Sequence, residues 1–415
     1  MLLQLKVKNY RSYKEEAVFS LEANSSLTKF KNVFEINNEK QDFRLLKTAI
    51  IYGANASGKS NIIRALFELI FLILNKPVID ENIRIYEPFL FDTSSNNMPT
   101  KFELIFLGPN NIKYEYKISI HKNIILEEDL NFYPNGKVTN LFSRKPFDPS
   151  THIQKGMLGD IYKKKEFNVF ENQLFLSKFG DDEPHELLTE VFLYFRNYTI
   201  INATNISHKQ FIERSLNDYL YNNEEIKNKL SRLINGADTK INDIIIEKNK
   251  ETGSRSNLRN SYNVFGRHDI YSDSKIDGFY ELPLKEESVG TQSLYTIGAE
   301  ILKVLEKGGV IAVDELDTSL HPYLTKMIVM LFQSEKTNPK NAQLIFTTHD
   351  VTLLDRDLIR RDQIWITEKD KRGISELFSL QDFDGLREET PFEKWYLAGK
   401  FGGLPQIKSI ESLFE

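Results

Sequence analysis

The sequence contains the segment Ile50-Ile51-Tyr52-Gly53-Ala54-Asn55-Ala56-Ser57-Gly58-Lys59-Ser60-Asn61. A short apolar run leads into the pattern G-x-x-x-x-G-K-S, and apolar residues then recur at helical spacing from Ile62 to Ile70. This order predicts a buried strand, a glycine-rich loop and a helix. The alternative is a glycine turn that matches the pattern by chance, which the flanking strand and helix disfavour.

The residue types of this loop, called the phosphate loop below (residues 53–60), suit a phosphate chain. Gly53 and Gly58 permit backbone angles and a close approach that a Cβ would prevent, so successive N–H groups can point inward. Lys59 would place a cation between the β- and γ-phosphates, and Ser60 would offer its hydroxyl to Mg²⁺. We therefore predict a site for a nucleoside triphosphate with Mg²⁺. Its candidate residues are Gly53, Asn55, Ala56, Ser57, Gly58, Lys59, Ser60 and Asn61.

Composition limits the class of protein. The chain has 415 residues, 40% of them hydrophobic, which suffices for one large domain or two with a substantial core. A net charge of -5 argues against a surface that is basic throughout, so any DNA contact would be local. The absence of cysteine excludes disulfides and thiolate metal sites and fits a reducing compartment.

No membrane or secretion signal is predicted. The most apolar run, Ile62 to Leu74, contains Arg64 and Glu68 and is too short to span a bilayer. The N-terminus lacks the charged start, apolar core and cleavage site of a signal peptide. We therefore expect a cytoplasmic protein without membrane contact.

An antiparallel β layer is predicted around the βα unit. The first residues alternate apolar and polar side chains, and Val18 to Leu21 is strand-like, so the chain should open with a hairpin. Between these strands lies Arg11, for which a solvated turn residue is the simplest interpretation. Further on, Thr100 to Phe106 and Lys113 to Ile120 alternate around a Gly-Pro-Asn-Asn turn, and another strand follows at Asn123 to Phe132.

The middle of the chain changes character. Helical spacing marks Leu187 to Phe195 and Leu216 to Leu233, with a short strand predicted at Tyr198 to Ile201. Residues 249–278 have the composition of a flexible loop or an irregular hairpin. Two basic clusters occur, and a solvated face is a simpler interpretation of them than nucleic-acid contact. They consist of Arg255, Arg259 and Arg267, and of Lys163, Lys164 and Lys165.

The last third of the chain carries three apolar strands. Val310 to Val313 leads into Asp314 and Glu315, a second strand ends at His349, and a third covers Ile364 to Thr367. Strands alternating with helices predict a mostly parallel sheet that binds ligands at its C-terminal edge. There Asp314 is expected to hold Mg²⁺, Glu315 to polarise an attacking water, and His349 to contact the γ-phosphate. The alternatives are a helix cap for the two acids and a buried core position for the histidine.

A second anion-binding turn is predicted at Ser288-Val289-Gly290-Thr291-Gln292, called the signature turn below. It precedes a helical run from Leu294 to Leu305, so backbone N–H groups and the helix dipole are available to a phosphate. Taken alone, the turn is also compatible with an ordinary helix cap. Its candidate ligand contacts are Ser288, Gly290 and Gln292.

The order of these motifs resembles the ABC-type ATPase heads of the SMC, RecF and OLD group. The phosphate loop, the signature turn, the Asp314-Glu315 strand end, the following Leu316 to Pro322 and the switch residue His349 come in the group's order. Asn9-Tyr10-Arg11-Ser12-Tyr13 resembles the group's N-terminal arginine motif, which implies that Arg11 reaches the nucleotide. Within the group, the signature, the Asp-Glu-Leu-Asp-x-Ser-Leu-His-Pro string and the tail from Trp395 to Pro405 look most like stand-alone RloA/AbiL-type ATPases of phage defence.

The resemblance implies a fold and a mode of action. The expected fold is an α/β ABC-type ATPase head, with a P-loop mostly parallel sheet, an antiparallel β layer and a helical insertion lobe. Residues 1–150 and 246–415 would form the two parts of the head, and residues 151–245 the insertion. Two heads, or a larger homo-oligomer, would enclose ATP and Mg²⁺ between the phosphate loop of one chain and the signature turn of another. No Q-loop residue is assigned, because the nearby glutamine, Gln173, precedes the expected Leu174 to Lys178 position.

Several functions remain open at this stage. The first is an ATPase switch that controls a separate nuclease or toxin in anti-phage defence. A separate effector is favoured because the segment after His349 offers only Asp382-Phe383-Asp384 as an acidic motif. That motif is better explained as a solvated turn. The second is a RecF-like DNA repair ATPase with local DNA contact. The third is a binding module that ATP locks with slow turnover, against which the presence of Glu315 argues. A transporter ATPase is the least favoured function, because it would not account for the β layer and the tail.

Overall fold

The computed structural model describes residues 1–27, 32–38, 41–78, 81–144, 153–155, 158, 169–202, 206–249, 262–387 and 389–405. The strands there are β1 Leu2–Lys8, β2 Ala17–Ser20, β3 Val33–Asn38, β4 Gln41–Leu46, β5 Thr48–Gly53, β6 Thr100–Leu107, β7 Lys113–His121, β8 Ile124–Phe132, β9 Thr139–Arg144, β10 Ile153–Lys155, β11 Tyr198–Asn202, β12 Asp243–Lys248, β13 Tyr262–Ser272, β14 Lys275–Pro283, β15 Val310–Asp314, β16 Gln343–Thr347, β17 Ile364–Lys369 and β18 Ser375–Ser379. The longer helices are α1 Lys59–Leu74, α2 Glu186–Tyr194, α3 Ile206–Tyr221, α4 Glu224–Gly236, α5 Val289–Lys307, α6 Pro322–Gln333 and α7 Phe392–Leu397.

A six-stranded sheet carries the phosphate loop. Its order is β11-β15-β16-β5-β17-β18, with β11 to β17 parallel and β18 antiparallel to β17. Strands β5, β15 and β16 are buried along their whole length. Such continuous apolar strands belong to a parallel sheet that is covered on both faces. The carboxyl ends of these three strands consequently meet at one edge of the sheet.

The two faces of this sheet pack against different layers. Ala49 and Ile51 of β5 belong to one apolar cluster, together with α1 and the strands of the antiparallel sheet. Ile50 and Tyr52 point the other way, into a cluster that includes α4, α5 and α6. Alternate residues of one strand thus hold α1 on one side and the helix of the signature turn, α5, on the other.

A seven-stranded sheet forms the predicted antiparallel layer, in the order β10-β9-β8-β7-β6-β1-β2. The opening hairpin is confirmed by the pairing of Gln4 with Ser20, and the second hairpin by the pairing of Thr100 with Ile120. The predicted fold class, a mostly parallel α/β sheet with an antiparallel β layer, is therefore confirmed.

The region 151–245 contributes to both sheets as well as to helices. Strand β11 lies parallel to β15, with Tyr198 opposite Val310, so it forms an edge of the parallel sheet. The predicted helical stretch Leu216 to Leu233 is two helices rather than one. Asn222 and Asn223 separate them, and their side-chain amides donate to the carbonyls of Asp218 and Tyr219, both at 2.7 Å. These bonds satisfy orphan carbonyls where α3 ends. The division into three parts stays a prediction.

Strands β12, β13 and β14 form a small antiparallel sheet, in which the β13–β14 hairpin, with a register shift at Ile270 and Tyr271, overlaps the stretch 249–278 predicted as a loop or irregular hairpin. The paired strands β13 and β14 are long, and most β14 side chains are exposed, so no apolar alternation marks them in the sequence. Arg267 on β13 pairs with Glu281 at 3.1 Å and lies 4.4 Å from the ring centre of Phe279. The other predicted basic residues, Arg255, Arg259 and Lys163 to Lys165, lie outside the described residues.

The helices in the described ranges include no membrane-spanning segment. None of the helices there combines the length and the apolar character that crossing a bilayer requires.

Candidate nucleotide-binding site

The phosphate loop connects β5 to α1 in a backbone shape that requires glycine. Gly53 has a φ of 150° and Gly58 a φ of 120°, in the region that side chains disfavour. A Cβ at Gly53 would lie 2.4 Å from Oγ1 of Thr367 and 2.5 Å from its carbonyl oxygen. A Cβ at Gly58 would lie 2.7 Å from Oγ of Ser375 and 3.1 Å from Oγ of Ser12. The loop is thus held tightly by the neighbouring strand β17 and by two serines that the sequence did not identify.

Hydrogen bonds from segments that are distant in the sequence hold the phosphate loop in place. The Ser375 hydroxyl donates to the Ser57 carbonyl at 2.5 Å, and the Tyr13 hydroxyl donates to the Gly58 carbonyl at 3.1 Å. The side-chain amide of Asn61 donates to Oγ of Ser12 at 2.7 Å. The Ser57 hydroxyl bonds to Oγ1 of Thr367. The side chains of Ser57 and Asn61 therefore face protein, and their backbone N–H groups donate within the loop, to the Ala54 carbonyl at 3.2 Å and the Gly58 carbonyl at 3.0 Å.

Lys59 is buried and folded into the loop. Its Nζ donates to the carbonyls of Gly53 at 2.8 Å and of Ala54 at 3.1 Å. Burial lowers the pKa of Lys59, while the nearby carboxylates of Glu315 and Asp314 oppose that shift. A cation held this close to the loop backbone is positioned to exchange a carbonyl for a phosphate oxygen.

The remaining loop residues face solvent. Asn55, Ala56 and Ser60 are exposed, and Ala56 adopts a left-handed φ of 60°. Ser60 lies in the first turn of α1, where the helix dipole favours an anion and the exposed hydroxyl is accessible to a metal ion.

Asp314 and Glu315 at the end of β15 are oriented by Thr347 at the end of β16. The Thr347 hydroxyl donates to Oδ1 of Asp314 at 2.7 Å and accepts from the backbone N–H of Glu315 at 2.7 Å. Glu315 has a left-handed φ of 56°, and its Oε2 accepts from the Thr318 hydroxyl at 3.2 Å. Asp314 is buried and Glu315 is half-buried. Among the helices that the structure describes, neither acid is the N-cap of one, so that alternative from the sequence is excluded.

His349 is exposed, which excludes the alternative of a buried core histidine. Its backbone N–H donates to Oδ2 of Asp317 at 3.1 Å, and the N–H of Leu316 donates to the Thr347 carbonyl at 3.1 Å. These hydrogen bonds join the loop after β15 to the end of β16, and Asp317 of that loop binds the backbone of His349.

The signature turn begins α5. Ser288 is its N-cap, with Oγ accepting from the N–H of Thr291 at 3.1 Å. A Cβ at Gly290 would lie 2.8 Å from the Ser319 carbonyl, so the turn packs against the loop that follows β15. The amide of Gln292 donates to the carbonyls of Glu287 at 2.8 Å and Lys285 at 3.2 Å. Ser288 is exposed and presents the turn to solvent.

Arg11 lies in the turn beside the phosphate loop and is bonded to Glu87. Its φ is 51°, its N–H donates to the Glu87 carbonyl at 2.6 Å, and its Nε lies 3.6 Å from Oε2 of Glu87. Arg64 of α1 shares the same carboxylate at 3.3 Å. The next residue, Ser12, touches the loop as described above, so Arg11 is adjacent to the site and its predicted ligand contact stays a prediction.

Two other sequence motifs have structural roles. Asp382 accepts from the N–H of Ser379 at 2.9 Å and so closes a turn. Gln173 donates to Oδ2 of Asp182 at 3.3 Å. Among the described residues there is also no group of three or more His, Cys, Asp or Glu side chains that could hold a metal ion by itself. A metal at this site would thus need the ligand's own oxygens, as Mg²⁺ in phosphate sites does.

Sequence reasoning missed Ser12, Thr347, Thr367 and Ser375 as site residues. Thr347 could have been noticed, because it ends an apolar strand one step before the polar pair Thr348 and His349. Ser12 lies inside the Asn9 to Tyr13 motif, in which the sequence points only to Arg11, and Ser375 carries no local pattern.

The fold and the site define a P-loop α/β protein in which Asp314, Glu315 and His349 follow strands that end at the same sheet edge as the strand before the phosphate loop. The chain belongs to the family described as "AAA domain, putative AbiEii toxin, Type IV TA system", which matches residues 49–355. No curated protein matches the sequence.

Solved structures with similarity to this chain have low sequence identity. The SMC head domain from Thermotoga maritima is 15% identical, with 91% of this chain and 98% of that chain covered and a TM-score of 0.40. The Smc head domain bound to the C-terminal domain of ScpA, derived from Pyrococcus furiosus, is 13% identical, with 91% and 96% covered and a TM-score of 0.43. The recombination mediator protein RecF with ATP is 13% identical, with 91% and 99% covered and a TM-score of 0.39.

Proposed function

We propose that this protein is an ATP-binding and ATP-hydrolysing switch whose chains pair around ATP and control a separate effector in bacterial anti-phage defence. The observation that carries the proposal is the hydrogen-bond chain Asp314–Thr347–Glu315, which fixes two acids at the sheet edge beside the glycine-shaped loop and Lys59. Phosphoryl transfer to water needs a phosphate cradle, a metal ligand and a group that orients the water, and these residues supply all three.

The residues present fit Mg²⁺. The exposed hydroxyl of Ser60 and the carboxylate of Asp314 are oxygen donors of the kind that Mg²⁺ prefers, and the phosphates and water would complete its coordination. When bound, Mg²⁺ would neutralise charge on the phosphates and help to align them. Lys59 would bind the β- and γ-phosphates, and backbone N–H groups of the phosphate loop would surround them.

Glu315 is proposed as the group that accepts a proton from the attacking water. Its backbone is left-handed, its Oε2 accepts from the Thr318 hydroxyl, and Thr347 holds its N–H, so both its backbone and its carboxylate are fixed by neighbours. His349, tied by its N–H to Asp317, would sense the γ-phosphate from the neighbouring strand.

Pairing of two chains would supply the other half of the site. The exposed signature turn, with Ser288, Gly290 and Gln292, would meet the γ-phosphate held by the phosphate loop of the partner chain. ATP would then favour the paired state and hydrolysis would release it, which makes the nucleotide a two-state signal that an effector can read.

The family description names a putative AbiEii toxin and a type IV TA system, which supports the proposed defence role and names no separate effector. A separate nuclease or toxin would be the component that acts on its target. The RecF-like alternative, a DNA repair ATPase, would instead require DNA to stimulate hydrolysis.

The proposal is tested with Glu315→Gln purified from the native host in MgATP. We expect this variant to bind ATP without turning it over, so that its native mass is at least that of a dimer with a co-purified nuclease or toxin. Lys59→Ala is the matched control, since it should bind no ATP and remain unpaired. Hydrolysis by Glu315→Gln at the wild-type rate would contradict the assignment of the base. A bare Glu315→Gln dimer, together with DNA-stimulated hydrolysis by the wild-type chain, would replace the defence role by the repair role.

A further inference from the structure

Beside the phosphate loop the structure has an exposed aromatic residue that the proposed chemistry does not use. Phe91 is 76% exposed and its neighbour Leu90 is 66% exposed, although Phe89 is 1% exposed. Large apolar side chains that are exposed side by side mark a binding surface more often than isolated ones do.

Hydrogen bonds fix the segment that carries Phe91 to the turn that contains Arg11. The side chain of Asn9 accepts from the N–H of Phe89 at 3.1 Å and donates to the carbonyls of Ser95 and Met98, both at 3.0 Å. Lys14 pairs with Asp92, next to Phe91. Phe91 is thus presented to solvent by a segment that several hydrogen bonds hold in place, which reduces the conformational entropy that a ligand contact would cost.

A second segment joins Phe91 to the phosphate loop itself. The turn between β17 and β18 contains Gly373, at which a Cβ would lie 2.7 Å from Cδ2 of Phe91. Two residues further on, Ser375 donates its N–H to the Ser12 carbonyl at 2.8 Å and its hydroxyl to the Ser57 carbonyl at 2.5 Å. Phe91 therefore borders the β17–β18 turn, and the same hairpin contacts the phosphate loop.

We propose that Phe91 is the stacking platform for the base of the nucleotide whose phosphates the phosphate loop holds. The inference rests on the proposed function and adds the residue that recognises the base. The ring of Phe91 meets Phe89 edge to face, at 5.7 Å between centres and 90° between planes, and Phe91 remains 76% exposed for a ligand contact. Aromatic rings stack with any nucleobase, and more strongly with a large purine. The platform therefore distinguishes nucleotides from bare phosphate chains and favours purines over pyrimidines, without separating adenine from guanine.

Calorimetric titration of the full chain with MgATP, MgCTP and magnesium tripolyphosphate tests this platform. Wild type should bind ATP more tightly than CTP or tripolyphosphate. Phe91→Ala should weaken ATP binding by about 5- to 100-fold and leave tripolyphosphate binding unchanged, because one base-stacking contact is lost. Phe91→Trp should retain ATP affinity.

The control is Tyr271→Ala, which removes an aromatic residue that is 63% exposed on the β13–β14 hairpin and should leave ATP binding unchanged. If wild type binds both ligands but Phe91→Ala binds ATP as wild type does, the platform is wrong and the phosphate site stands. If wild type binds neither ATP nor tripolyphosphate, the proposed function itself is wrong and the platform with it.

Discussion

At the scale of single residues, Thr347 connects the two acids of the proposed site. Its hydroxyl is the hydrogen-bond partner of both the Asp314 carboxylate and the Glu315 N–H. Thr347→Val removes the hydroxyl at nearly constant volume. We expect kcat for ATP hydrolysis to fall about 10- to 100-fold, since both acids lose their orientation. The buried Asp314 also loses a donor, so unfolding free energy should drop by about 1–3 kcal/mol.

Steady-state hydrolysis and urea unfolding measure these two effects. Thr347→Ser retains the hydroxyl and is expected to retain most of the activity. A kcat within about twofold of wild type for Thr347→Val would show that the acids are positioned by other contacts.

Gly53 permits a direct test of the loop shape, because the chain offers a matched glycine. Gly53 has a φ of 150° with Thr367 in the way, whereas Gly278 has a φ of 140° and no described residue within 4 Å of the position that a Cβ would take. Both alanine variants incur backbone strain of about 1–3 kcal/mol. Only Gly53→Ala must also displace β17, so it should be the less stable variant in thermal unfolding and lose ATP binding. Equal stability of the two variants would contradict a tightly enclosed loop.

The lowered pKa of Lys59 leads us to expect that nucleotide affinity depends on pH. Burial lowers the pKa of this lysine below its usual 10.5, so it loses its proton at a lower pH than a solvent-exposed lysine does. Between the lowered pKa and 10.5 the unfolded chain binds more protons than the folded chain, so stability rises with pH while the phosphate-binding cation disappears. ATP affinity should therefore fall with rising pH before 10.5 is reached. Titrations from neutral to alkaline pH measure this, and Lys59→Arg, which keeps its charge, should show a flatter profile.

At the scale of elements, a buried ion pair joins the antiparallel sheet to the helical region. Glu128 of β8 is fully buried and accepts from the Tyr116 hydroxyl at 2.7 Å and from the N–H groups of Phe175 and Leu176 at 2.7 and 3.0 Å. Arg144 of β9 lies 3.5 Å from it. Burial raises the pKa of Glu128, and Arg144 opposes that rise.

Arg144→Met should therefore cost about 3–5 kcal/mol of unfolding free energy at neutral pH, because it leaves a buried carboxylate without a counter-charge. The folded chain would then hold the Glu128 proton more tightly than the unfolded chain, so the variant should recover stability as pH falls through the raised pKa towards the ordinary value of 4.5, and lose it as pH rises back through the raised pKa. Urea unfolding across this pH range measures the effect. Adding Glu128→Gln should restore part of the loss, since a neutral amide needs no counter-charge, and failure to do so would show that Arg144 acts through its bonds to the Gln173 and Phe170 carbonyls instead.

The elements that the sequence predicted are those whose pattern is local. Strands β5, β15 and β16 are continuous apolar runs, and the phosphate loop has its own residue spacing, so both could be recognised without tertiary information. For the β13–β14 hairpin the sequence left a flexible loop and an irregular hairpin both open, because its exposed faces leave no alternation of apolar and polar residues. Ser12 and Ser375 reach the loop only through the pairing of distant segments, which no short pattern records.

At the scale of the whole molecule, the signature turn and the phosphate loop are held by different segments of the chain. In the described part of the chain, the side-chain hydrogen bonds of Ser288 and Gln292 stay within residues 285–296 and do not reach residues 53–60. Both surfaces are exposed at Ser60 and Ser288. A composite site built from two chains in head-to-tail pairing would use each exposed surface once.

Mixing two inactive variants tests this pairing. Lys59→Ala removes the phosphate-binding cation, and Ser288→Arg places a large cation at the exposed start of the signature turn, so each variant alone should hydrolyse no ATP. In an equal mixture, each mixed dimer combines an intact phosphate loop from one chain with an intact signature turn from the other at one of its two positions, so it can hold one ATP although neither variant has an intact site when paired with itself. Steady-state hydrolysis should consequently return to a level of up to about half of the wild-type rate, since one of the two positions is intact. A Lys59→Ala chain that also carries Ser288→Arg is the control, since mixing it with either single variant leaves no dimer with an intact composite site. If the two single variants stay inactive when mixed, the signature turn acts on the phosphate loop of its own chain and the head-to-tail arrangement is wrong.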